Sequence, residues 1–380
     1  MLEAEAYWAR EWLFDAALPL WWQVGADPAG GYYEKIALNG VPVTAPRRLR
    51  VQTRQTYAFI EGGRLGWHGP WREAAAHGLF YFMSHFRRPD GLYRCLVAAD
   101  GSPLADTADL YDQAFVLFAL AHAHFAGIGN TDLLVAARGL LAELKAQRAH
   151  PEFGFEEAMP RILPLRSNPQ MHLLEAQLAW VAKGVREPFE EIGRTILELG
   201  ANRLIDPQTG AIGEYYDGDW HFAEGEPGAV REPGHQFEWA YLFRHASDLL
   251  GVDHRAAALR LYSFGTRFGI AQDRRAVIFA VNASGTPTDP RARLWAQTER
   301  LRTALVFAAA TSDAEARDAF VADAHEAFEV LKAYLDVPVA GLWRDQWLAD
   351  GSFLEEPAPA SSFYHILSAF VVLLKAGSIT

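Results

Sequence analysis

Titratable residues recur inside strongly apolar helical patterns of this chain at a nearly constant interval. The six residues are Arg54, Asp112, His172, His235, Glu299 and His365. Successive members are separated by 58, 60, 63, 64 and 66 residues. An interval of this size fits two helices with their loops, and a fixed period is typical of repeat architectures. Six helical hairpins of this length would use nearly all of the 380 residues.

The periodicity of the apolar residues predicts an all-α chain. Apolar side chains at i, i+3, i+4 and i+7 occur throughout, as in MHLLEAQLAWVAKG and HQFEWAYLFRHASDLL, and this spacing is that of an amphipathic helix. Turn signals such as RRPDGLY and LADGSF separate the helical runs, with short strand-like loop segments at most. Since no low-complexity linker divides the sequence, we expect one domain over residues 1–380. Six inner helices in a ring would direct the titratable residues into one central cleft, whereas an open solenoid would spread them along a surface. The spacing leaves both arrangements open.

Charge and composition exclude several classes of function. The chain has 35 basic and 47 acidic residues, a formal net charge of −12, and no clustered Lys/Arg stripe. We therefore expect no nucleic-acid partner. The most apolar stretches are interrupted before about 18 residues, so they are interpreted as buried helices and no membrane partner is expected. No Gly-rich phosphate loop follows a strand, so we expect no nucleotide cofactor.

The N-terminus and the cysteine content bear on the cellular compartment. The first residues, MLEAEAYWAREW, carry acids where a secretory signal has positive charge. The single cysteine, Cys95, excludes an intramolecular disulfide. We therefore expect a cytoplasmic protein.

Histidine and glutamate are paired in two of the apolar segments. His235 and Glu238 lie at i, i+3 in GHQFEWAYLF, and His172 and Glu175 repeat that spacing in SNPQMHLLEAQLAW. On a helix such residues share one face, and a carboxylate can orient a histidine that acts as acid or base. His365 begins a third apolar helix. One such histidine is more often a structural core residue, but three together favour a site.

Other residues add to the candidate site. Arg54 precedes an apolar run and is suited to hold an oxygen by charge-assisted hydrogen bonds, although a surface ion pair explains it equally. Gln297 and Glu299 lie beside Trp295, where an interhelical ion pair is as reasonable as a ligand contact. Helical His/Glu spacing also fits a metal site, but the sequence has no H-E-x-x-H motif. We expect neither a metal nor a cofactor.

Five segments lie in the order RQTYAF (54–59), NPQMHLLEA (168–176), PGHQFEWAYL (233–242), WAQTE (295–299) and SSFYH (361–365) along the chain. Together they resemble the signature segments of the N-acylglucosamine 2-epimerase family. The resemblance implies an (α/α)6 barrel of six helical hairpins, which favours the ring over the solenoid. It also implies metal-independent isomerisation or epimerisation at C2 of a reducing sugar.

The resemblance also implies roles for individual residues. His235 and His365 would be the acid/base pair, His172 would assist ring opening, Glu238 would support His235, and Arg54 would bind the oxygens near C1 and C2. The residues expected to contact the sugar are Tyr111, Asn168, Glu175, Trp295, Gln297, Glu299, Trp343 and Trp347.

The expected reaction is the interconversion of mannose and fructose through a cis-enediolate. The short chain and the WRDQW segment are closer to the isomerase branch of the family. The alternatives are a 2-epimerase of N-acylglucosamine or glucose/mannose-type sugars, and an isomerase of sulfoquinovose or mannose 6-phosphate. No extra cation for an anionic substrate is evident in the sequence. A sugar-binding protein without turnover and a helical scaffold are the non-enzymatic alternatives. We expect a monosaccharide substrate and a monomer or homodimer.

Overall fold

Helices form most of the computed structural model, which describes residues 2–129 and 132–377. The α-helices are α1 (Glu3–Glu11), α2 (Leu18–Gln23), α3 (Leu49–Arg64), α4 (Trp71–His85), α5 (Leu110–Ala126), α6 (Leu133–Arg148), α7 (Ser167–Val181), α8 (Phe189–Leu199), α9 (Glu226–Ala229), α10 (Pro233–Leu250), α11 (Arg255–Phe268), α12 (Leu294–Ala310), α13 (Ala314–Leu335) and α14 (Phe363–Ala376). Two π-helical turns, Trp12–Ala17 and Gly200–Leu204, and one 3-10 turn, Ala360–Ser362, adjoin them.

Six of these helices form a closed inner ring. In order they are α3, α5, α7, α10, α12 and α14, each of which contacts the next, and α14 contacts α3. Helices α4, α6, α8, α11 and α13 each pack outside the inner helix that precedes them. The sixth outer position is filled by α1, which packs on α14. The predicted (α/α)6 barrel is therefore confirmed, and the solenoid is excluded.

The composition of the inner helices follows from this position. In α14, for example, Phe363, Ile366, Leu367 and Phe370 are all completely buried. A helix that is surrounded on all sides has no need of a polar stripe, so its sequence is apolar all round. Despite this apolarity, no helix within the described residues is both long and apolar enough to cross a membrane.

A repeated glutamine fixes the loop in front of five inner helices. It is the fourth residue of each helix, and its side-chain amide both donates to and accepts from the backbone of one loop residue at 2.6–3.2 Å. The pairs are Gln52 with Tyr32, Gln113 with Tyr93, Gln170 with Phe155, Gln236 with Ile212, and Gln297 with Val277. These bonds satisfy backbone groups that would otherwise be buried without partners.

Glycine permits the close approach at two of these loops. Gly31 and Gly154 have φ angles of +71° and +70°, which L side chains rarely adopt. A Cβ there would lie 2.8 Å from the Gln52 Oε1 and 2.6 Å from the Gln170 Oε1, respectively. A larger residue at either position would therefore displace the glutamine.

The strands are two or three residues long and lie in the loops. They are β1 (Lys35–Ile36), β2 (Pro42–Val43), β3 (Arg47–Arg48), β4 (Leu96–Val97), β5 (Pro103–Ala105), β6 (Leu165–Arg166), β7 (Tyr215–Tyr216), β8 (Ala280–Val281), β9 (Pro287–Asp289), β10 (Ala292–Arg293), β11 (Gln346–Trp347) and β12 (Ala358–Pro359). All pairings are antiparallel, in the orders β12-β1-β2, β3-β4-β5, β6-β7, β8-β9 and β10-β11. In register, Lys35 lies opposite Pro359 and Arg293 lies opposite Gln346.

These loops are joined to one another around the end of the barrel at which the inner helices begin. The N–H at the start of α7 donates to the carbonyl of Glu214, and that of α12 donates to the carbonyl of Asp345. The N–H of Ala360 donates to the carbonyl of Glu34 at 2.9 Å, which links the last inner helix to the first loop. The rim is thereby continuous, and it surrounds the mouth of the barrel.

Candidate active site

A cleft of about 260 Å³ opens at the end of the barrel where the inner helices begin. Its lining residues are Arg48, Arg50, Arg54, Tyr111, Asn168, His172, Glu232, His235, Glu238, Phe279, Arg293, Trp295, Ser361, Ser362 and His365. Clefts for drug-sized ligands have roughly 300–1,000 Å³, so this cleft can hold a small molecule such as one monosaccharide. Helix N-termini carry partial positive charge, which favours a negative charge on the bound molecule.

A ring of six side chains surrounds the barrel axis at the bottom of the cleft: Arg54, Phe115, His172, Glu238, Glu299 and His365. Five of them lie two residues after the repeated glutamine of their helix, and His365 is the third residue of α14. Arg54, His172, Glu238 and His365 line the cleft itself. The guanidinium carbon of Arg54 lies 4.1 Å from the Phe115 ring centroid, and the Phe115 and His172 centroids are 4.6 Å apart. His235 and Asp112 occupy the position three residues earlier. The six residues that gave the interval of about 60 therefore come from two positions of the repeat. Arg54, His172, Glu299 and His365 belong to the ring, and Asp112 and His235 belong to the earlier position.

His235 is the cationic histidine of the cleft. Its Nδ1 lies 2.8 Å from Glu214 Oε2 and 3.5 Å from Glu232 Oε2. Burial opposes the charged imidazole, but these two carboxylates outweigh it and raise the pKa of His235 to about 10. His235 therefore holds a proton at neutral pH.

The predicted support of His235 by Glu238 is wrong. The Glu238 carboxylate points along the barrel axis, where its Oε1 lies 3.8 Å from His172 Nδ1 and 3.9 Å from Arg302 Nη2. The hydrogen bond to His235 comes instead from Glu214, in the loop before β7. Side chains three residues apart on a helix share a face, but Glu238 is directed toward residues of the neighbouring helices α7 and α12 and does not contact His235.

Glu214 and Glu232 were missed because they lie outside the helical runs. A spacing that recurs in the loops could have identified Glu214. Glu34, Glu157 and Glu214 each lie two residues after the loop residue that binds the repeated glutamine. Glu34 bonds to Arg48, Glu157 contacts Arg166, and Glu214 bonds to His235. Aligning the loops as well as the helices would have found this position.

His172 and His365 are the neutral histidines of the cleft. His172 Nδ1 lies 3.1 Å from Glu175 Oε2, and His365 Nδ1 lies 2.8 Å from Glu299 Oε1. Burial lowers the pKa of His172 to about 4, with Arg54 adding to the effect and Glu175 opposing it. Burial, followed by the charge of Arg54, lowers the pKa of His365 well below its ordinary value.

The three imidazoles share one arrangement. In each, Nδ1 faces a carboxylate, while Nε2 has no hydrogen-bond partner in the part of the chain that the structure describes. The carboxylate fixes the orientation of the ring and leaves Nε2 for a bound molecule. Titratable groups whose environments separate their pKa values are suited to act as acid and base. His235 suits the acid, and His365 or His172 suits the base.

Arg54 is held rigidly on the cleft wall. It donates to Tyr111 Oη at 2.6 Å and to the carbonyl of Ser361 at 3.1 Å. Asn168 also lines the cleft, and its buried Oδ1 has no partner among the described residues. Trp295 lies between two of the imidazoles, with ring centroids 5.0 Å from His235 and 5.7 Å from His365. Four residues that were predicted to contact the sugar therefore lie together in the cleft: Arg54, Tyr111, Asn168 and Trp295.

Glu175 and Glu299 lie beneath the cleft and do not line it, contrary to the prediction that they contact the sugar. Each orients a histidine, and both surround the buried Arg302, whose Nη2 lies 2.6 Å from Glu299 Oε2 and whose Nη1 lies 3.7 Å from Glu175 Oε1. Arg302 was not predicted. It lies on the barrel axis, one and a half turns after Gln297 in α12.

Three further predicted contacts are also absent from the cleft. Gln297 is completely buried and binds the backbone of Val277. Trp343 is completely buried, with its ring centroid 4.9 Å from that of Trp21. Trp347 stacks on Phe353 with centroids 4.6 Å apart. Loops have no fixed side-chain period, so the WRDQW segment gave no information on which rings face inward.

Three groups of side chains have the spacing of metal ligands. They are His172/Glu175/Glu238, Glu214/Glu232/His235 and Glu238/Glu299/His365, whose ligand atoms lie within 4.8 Å of one another. In the first two groups the histidine Nδ1 already pairs with a carboxylate of the group, and in the third His365 Nδ1 pairs with Glu299. A metal ion bound through Nδ1 would have to replace these hydrogen bonds. Independence from metal stays a prediction.

Comparisons with known proteins give the same family over nearly the whole chain. The model of the N-acylglucosamine 2-epimerase (GlcNAc 2-epimerase) family matches residues 31–369, which include every residue of the cleft. A protein of Rhizobium meliloti named mannose-6-phosphate isomerase is 45% identical over 367 residues, or 95% of each chain.

Solved structures share the fold. A cellobiose 2-epimerase from Spirochaeta thermophila superposes with a TM-score of 0.86 at 20% identity, over 99% of this chain and 97% of that one. A D-mannose isomerase superposes with a TM-score of 0.83 at 19% identity, over 98% and 97% of the two chains. At these identities the structures support the fold alone.

Proposed function

This chain belongs to the N-acylglucosamine 2-epimerase family, and on that premise we propose that it is an aldose–ketose isomerase that interconverts mannose and fructose. The observation that carries the proposal is the convergence of His172, His235 and His365 on one cleft of monosaccharide size. A sugar-binding protein without turnover needs no proton carriers at three positions.

The reaction begins with opening of the sugar ring. A group in the cleft must move a proton between the ring oxygen and the anomeric hydroxyl, which yields the open-chain aldehyde. His172 is assigned this step, because its neutral imidazole accepts a proton and Glu175 then stabilises the cation. Tyr111 packs edge-on against His172, with ring centroids 5.0 Å apart, and limits the movement of the imidazole.

Proton transfer at carbon follows. The C2 proton lies next to the aldehyde carbonyl, and its removal gives a cis-enediolate. His365 is assigned as the base, since burial and neighbouring positive charge keep it neutral, and Glu299 stabilises it once it is protonated. His235, which already carries a proton between two carboxylates, is assigned as the acid that serves the oxygens. Return of the proton to C1 gives the ketose.

Negative charge on the enediolate needs nearby donors. Arg54 is assigned this role, because its guanidinium lines the cleft and is fixed by Tyr111 and Ser361. One donor of this kind commonly contributes about 3 to 4 kcal/mol to the transition state. The N-termini of the inner helices add to the same potential.

The product distinguishes an isomerase from a 2-epimerase, because the same residues serve both reactions. Incubation with mannose in D2O, followed by NMR, is expected to give fructose with deuterium at C1. Glucose as the main product would replace the proposal with a 2-epimerase. No exchange at C1 or C2 with mannose, glucose, N-acetylglucosamine, lyxose or sulfoquinovose would indicate a sugar-binding protein.

Mannose 6-phosphate is a second candidate substrate, which the name of the Rhizobium meliloti relative and three arginines favour. Arg48, Arg50 and Arg293 line the cleft, which supplies the cations that the sequence did not reveal. The side chains of Arg48 and Arg293 are 40% and 38% exposed, and each pairs with one acidic residue. If the phosphate is recognised, kcat/KM is higher for mannose 6-phosphate than for mannose, and Arg293→Ala lowers only the former. Equal values for both sugars would remove this candidate.

A further inference from the structure

Glu238 is the cleft carboxylate without a close cationic partner. It lies on the floor, is 1% exposed, and its Oε1 accepts no hydrogen bond from any described residue. The nearest positive or protonatable atoms are His172 Nδ1 at 3.8 Å and Arg302 Nη2 at 3.9 Å. Both distances are too long for a hydrogen bond.

The groups around Glu238 come from every inner helix. Helix α7 contributes His172 and Glu175, α12 contributes Glu299 and Arg302, and α14 contributes His365 and Tyr364. Helix α10 itself contributes His235, while Arg54 of α3 and Tyr111 of α5 line the same cleft.

Three buried carboxylates share the single guanidinium of Arg302. Glu299 has the closest contact, at 2.6 Å, and also pairs with His365. Glu175 pairs with His172 at 3.1 Å and accepts from Tyr364 Oη at 2.5 Å. Glu238 is 3.9 Å from Arg302, and its Oε1 accepts no hydrogen bond from a described residue. It lies within 4.8 Å of a Glu299 carboxylate oxygen.

Burial and mutual repulsion oppose the ionisation of both carboxylates, and the pKa of Glu299 is also raised, to about 7, mainly by burial. The cation and hydrogen-bond donors that stabilise a carboxylate lie closest to Glu299 and Glu175, so the proton resides on Glu238. Burial, together with the charges of Glu299 and Glu175, raises the pKa of Glu238 well above its ordinary value.

We propose that Glu238 is a neutral carboxylic acid in the working enzyme and donates a hydrogen bond to the enediolate oxygen as a second donor beside Arg54. The inference rests on the proposed isomerase function. A carboxylic acid kept neutral by its apolar site serves as such a donor in other enzymes. The proton remains on Glu238 throughout, so proton transfer at carbon still belongs to the histidines.

The first test compares two substitutions that differ in activity if Glu238 acts as a carboxylic acid and are equally inactive if it acts as a carboxylate. Glu238→Gln keeps the shape and an N–H donor, so we expect kcat/KM within about 10-fold of the wild type. Glu238→Leu removes the donor, so we expect a loss of about 100- to 1,000-fold. The loss is expected in kcat with little change in KM, because the bond forms with charge that develops in the transition state. A Gln variant as inactive as the Leu variant would overturn the proposal.

The second test detects the proton directly and needs no substrate. Infrared spectra of the wild type with labelled glutamate are expected to show a protonated carboxyl C=O band at neutral pH. That band is expected to disappear in Glu238→Gln and to remain in the matched variant Glu61→Gln at the other end of the barrel. If the neutral-pH spectrum has no band that depends on Glu238, the residue is ionised and the proposal fails. Failure of the wild type to turn over any sugar would instead contradict the proposed function, whatever the infrared result.

Discussion

Two cavities of nearly equal size lie at opposite ends of the barrel. The cleft described above has a volume of about 260 Å³, and a second cavity, at the end where the inner helices finish, has about 250 Å³. We call the second the lower cavity; its lining includes Glu61, Arg64, His122, His245 and Arg302. Both cavities therefore contain histidine, glutamate and arginine.

The arrangement of those residues differs. In the lower cavity, His122 Nδ1 and Arg64 Nη1 lie 2.9 Å and 2.5 Å from the same oxygen of Glu61. One buried carboxylate thus joins two cationic or protonatable groups in a single network. In the cleft, by contrast, each of three histidines has its own carboxylate, and its Nε2 has no partner among the residues that the structure describes.

The direction of the helices explains why only one end is suited to the proposed chemistry. All six inner helices begin at the cleft, where their N-termini favour an anionic intermediate. They end at the lower cavity, where partial negative charge favours basic residues such as Lys183 and Lys375. Similar side chains therefore face opposite potentials. The comparison indicates that helix polarity selects the end at which an enediolate can form.

The largest expected difference between the two ends is catalytic. We expect His365→Asn and His235→Asn each to reduce kcat by about 100- to 10,000-fold, because each removes a proton carrier. The matched variant His122→Asn in the lower cavity is expected to keep kcat within about 2-fold of the wild type. Circular dichroism checks that all three variants are folded. Full activity in either cleft variant would remove that residue from the mechanism.

Loss of Glu214 is expected to have the next largest effect. Its carboxylate raises the pKa of His235, so Glu214→Gln lets His235 lose its proton at lower pH. The alkaline limb of the pH profile of kcat/KM moves toward neutral pH, and kcat/KM falls by about 10- to 100-fold at its optimum. Glu61→Gln serves as the control and leaves the profile unchanged. An unshifted alkaline limb in Glu214→Gln would show that His235 does not set it.

Stability is expected to depend on pH in opposite ways at the two ends. His122 and Arg64 overcome burial and lower the pKa of Glu61 to about 2. Its stabilising effect is therefore complete above the unfolded pKa of about 4.5 and is lost as pH falls toward about 2. For His235, whose pKa is raised to about 10, the effect is complete below about 6.5 and is lost as pH rises through about 10.

Urea denaturation measures this difference. Glu61→Gln is expected to lower the free energy of unfolding by up to about 3 kcal/mol at pH 7. The difference from the wild type is expected to vanish at about pH 2. A difference that persists unchanged in acid would mean that the carboxylate's charge is not responsible.

The smallest expected effect is that of chelation. If the carboxylates of the cleft pair only with histidines and with Arg302, and bind no metal, EDTA leaves turnover unchanged at acidic and at alkaline pH. Loss of activity with EDTA, restored by one divalent ion, would instead identify one of the three ligand-like groups as a metal site.

The sequence predicted helical hairpins and three histidines within them, because helical period and repeat interval are local signals; the ring itself was predicted only by the resemblance to a known family. The pair His172 and Glu175 has the predicted contact, since both side chains are set by one helix. The pair His235 and Glu238 does not, because a loop glutamate 21 residues earlier takes the hydrogen bond. Such a partner depends on how a loop folds over the rim, which helical spacing does not specify.

Two further errors show what the sequence did not reveal about the cleft. Gln297 looked like a ligand contact in one helix, but its counterparts in four other helices show that it fixes a loop. Trp343 and Trp347 were assigned to the cleft from the family resemblance, and loop packing places them elsewhere. Comparison among the repeats would have corrected the first error; only the tertiary structure corrects the second.

The contact between α1 and α14 has a consequence for how the enzyme is made on the ribosome. Helix α14 follows α1 by about 350 residues in the sequence, so α1 is synthesised well before the helix on which it packs. His365, the proposed base, lies on α14, so a polypeptide that has not yet reached α14 lacks that residue. The three histidines of the cleft come together only once α14 has packed between α12 and α3.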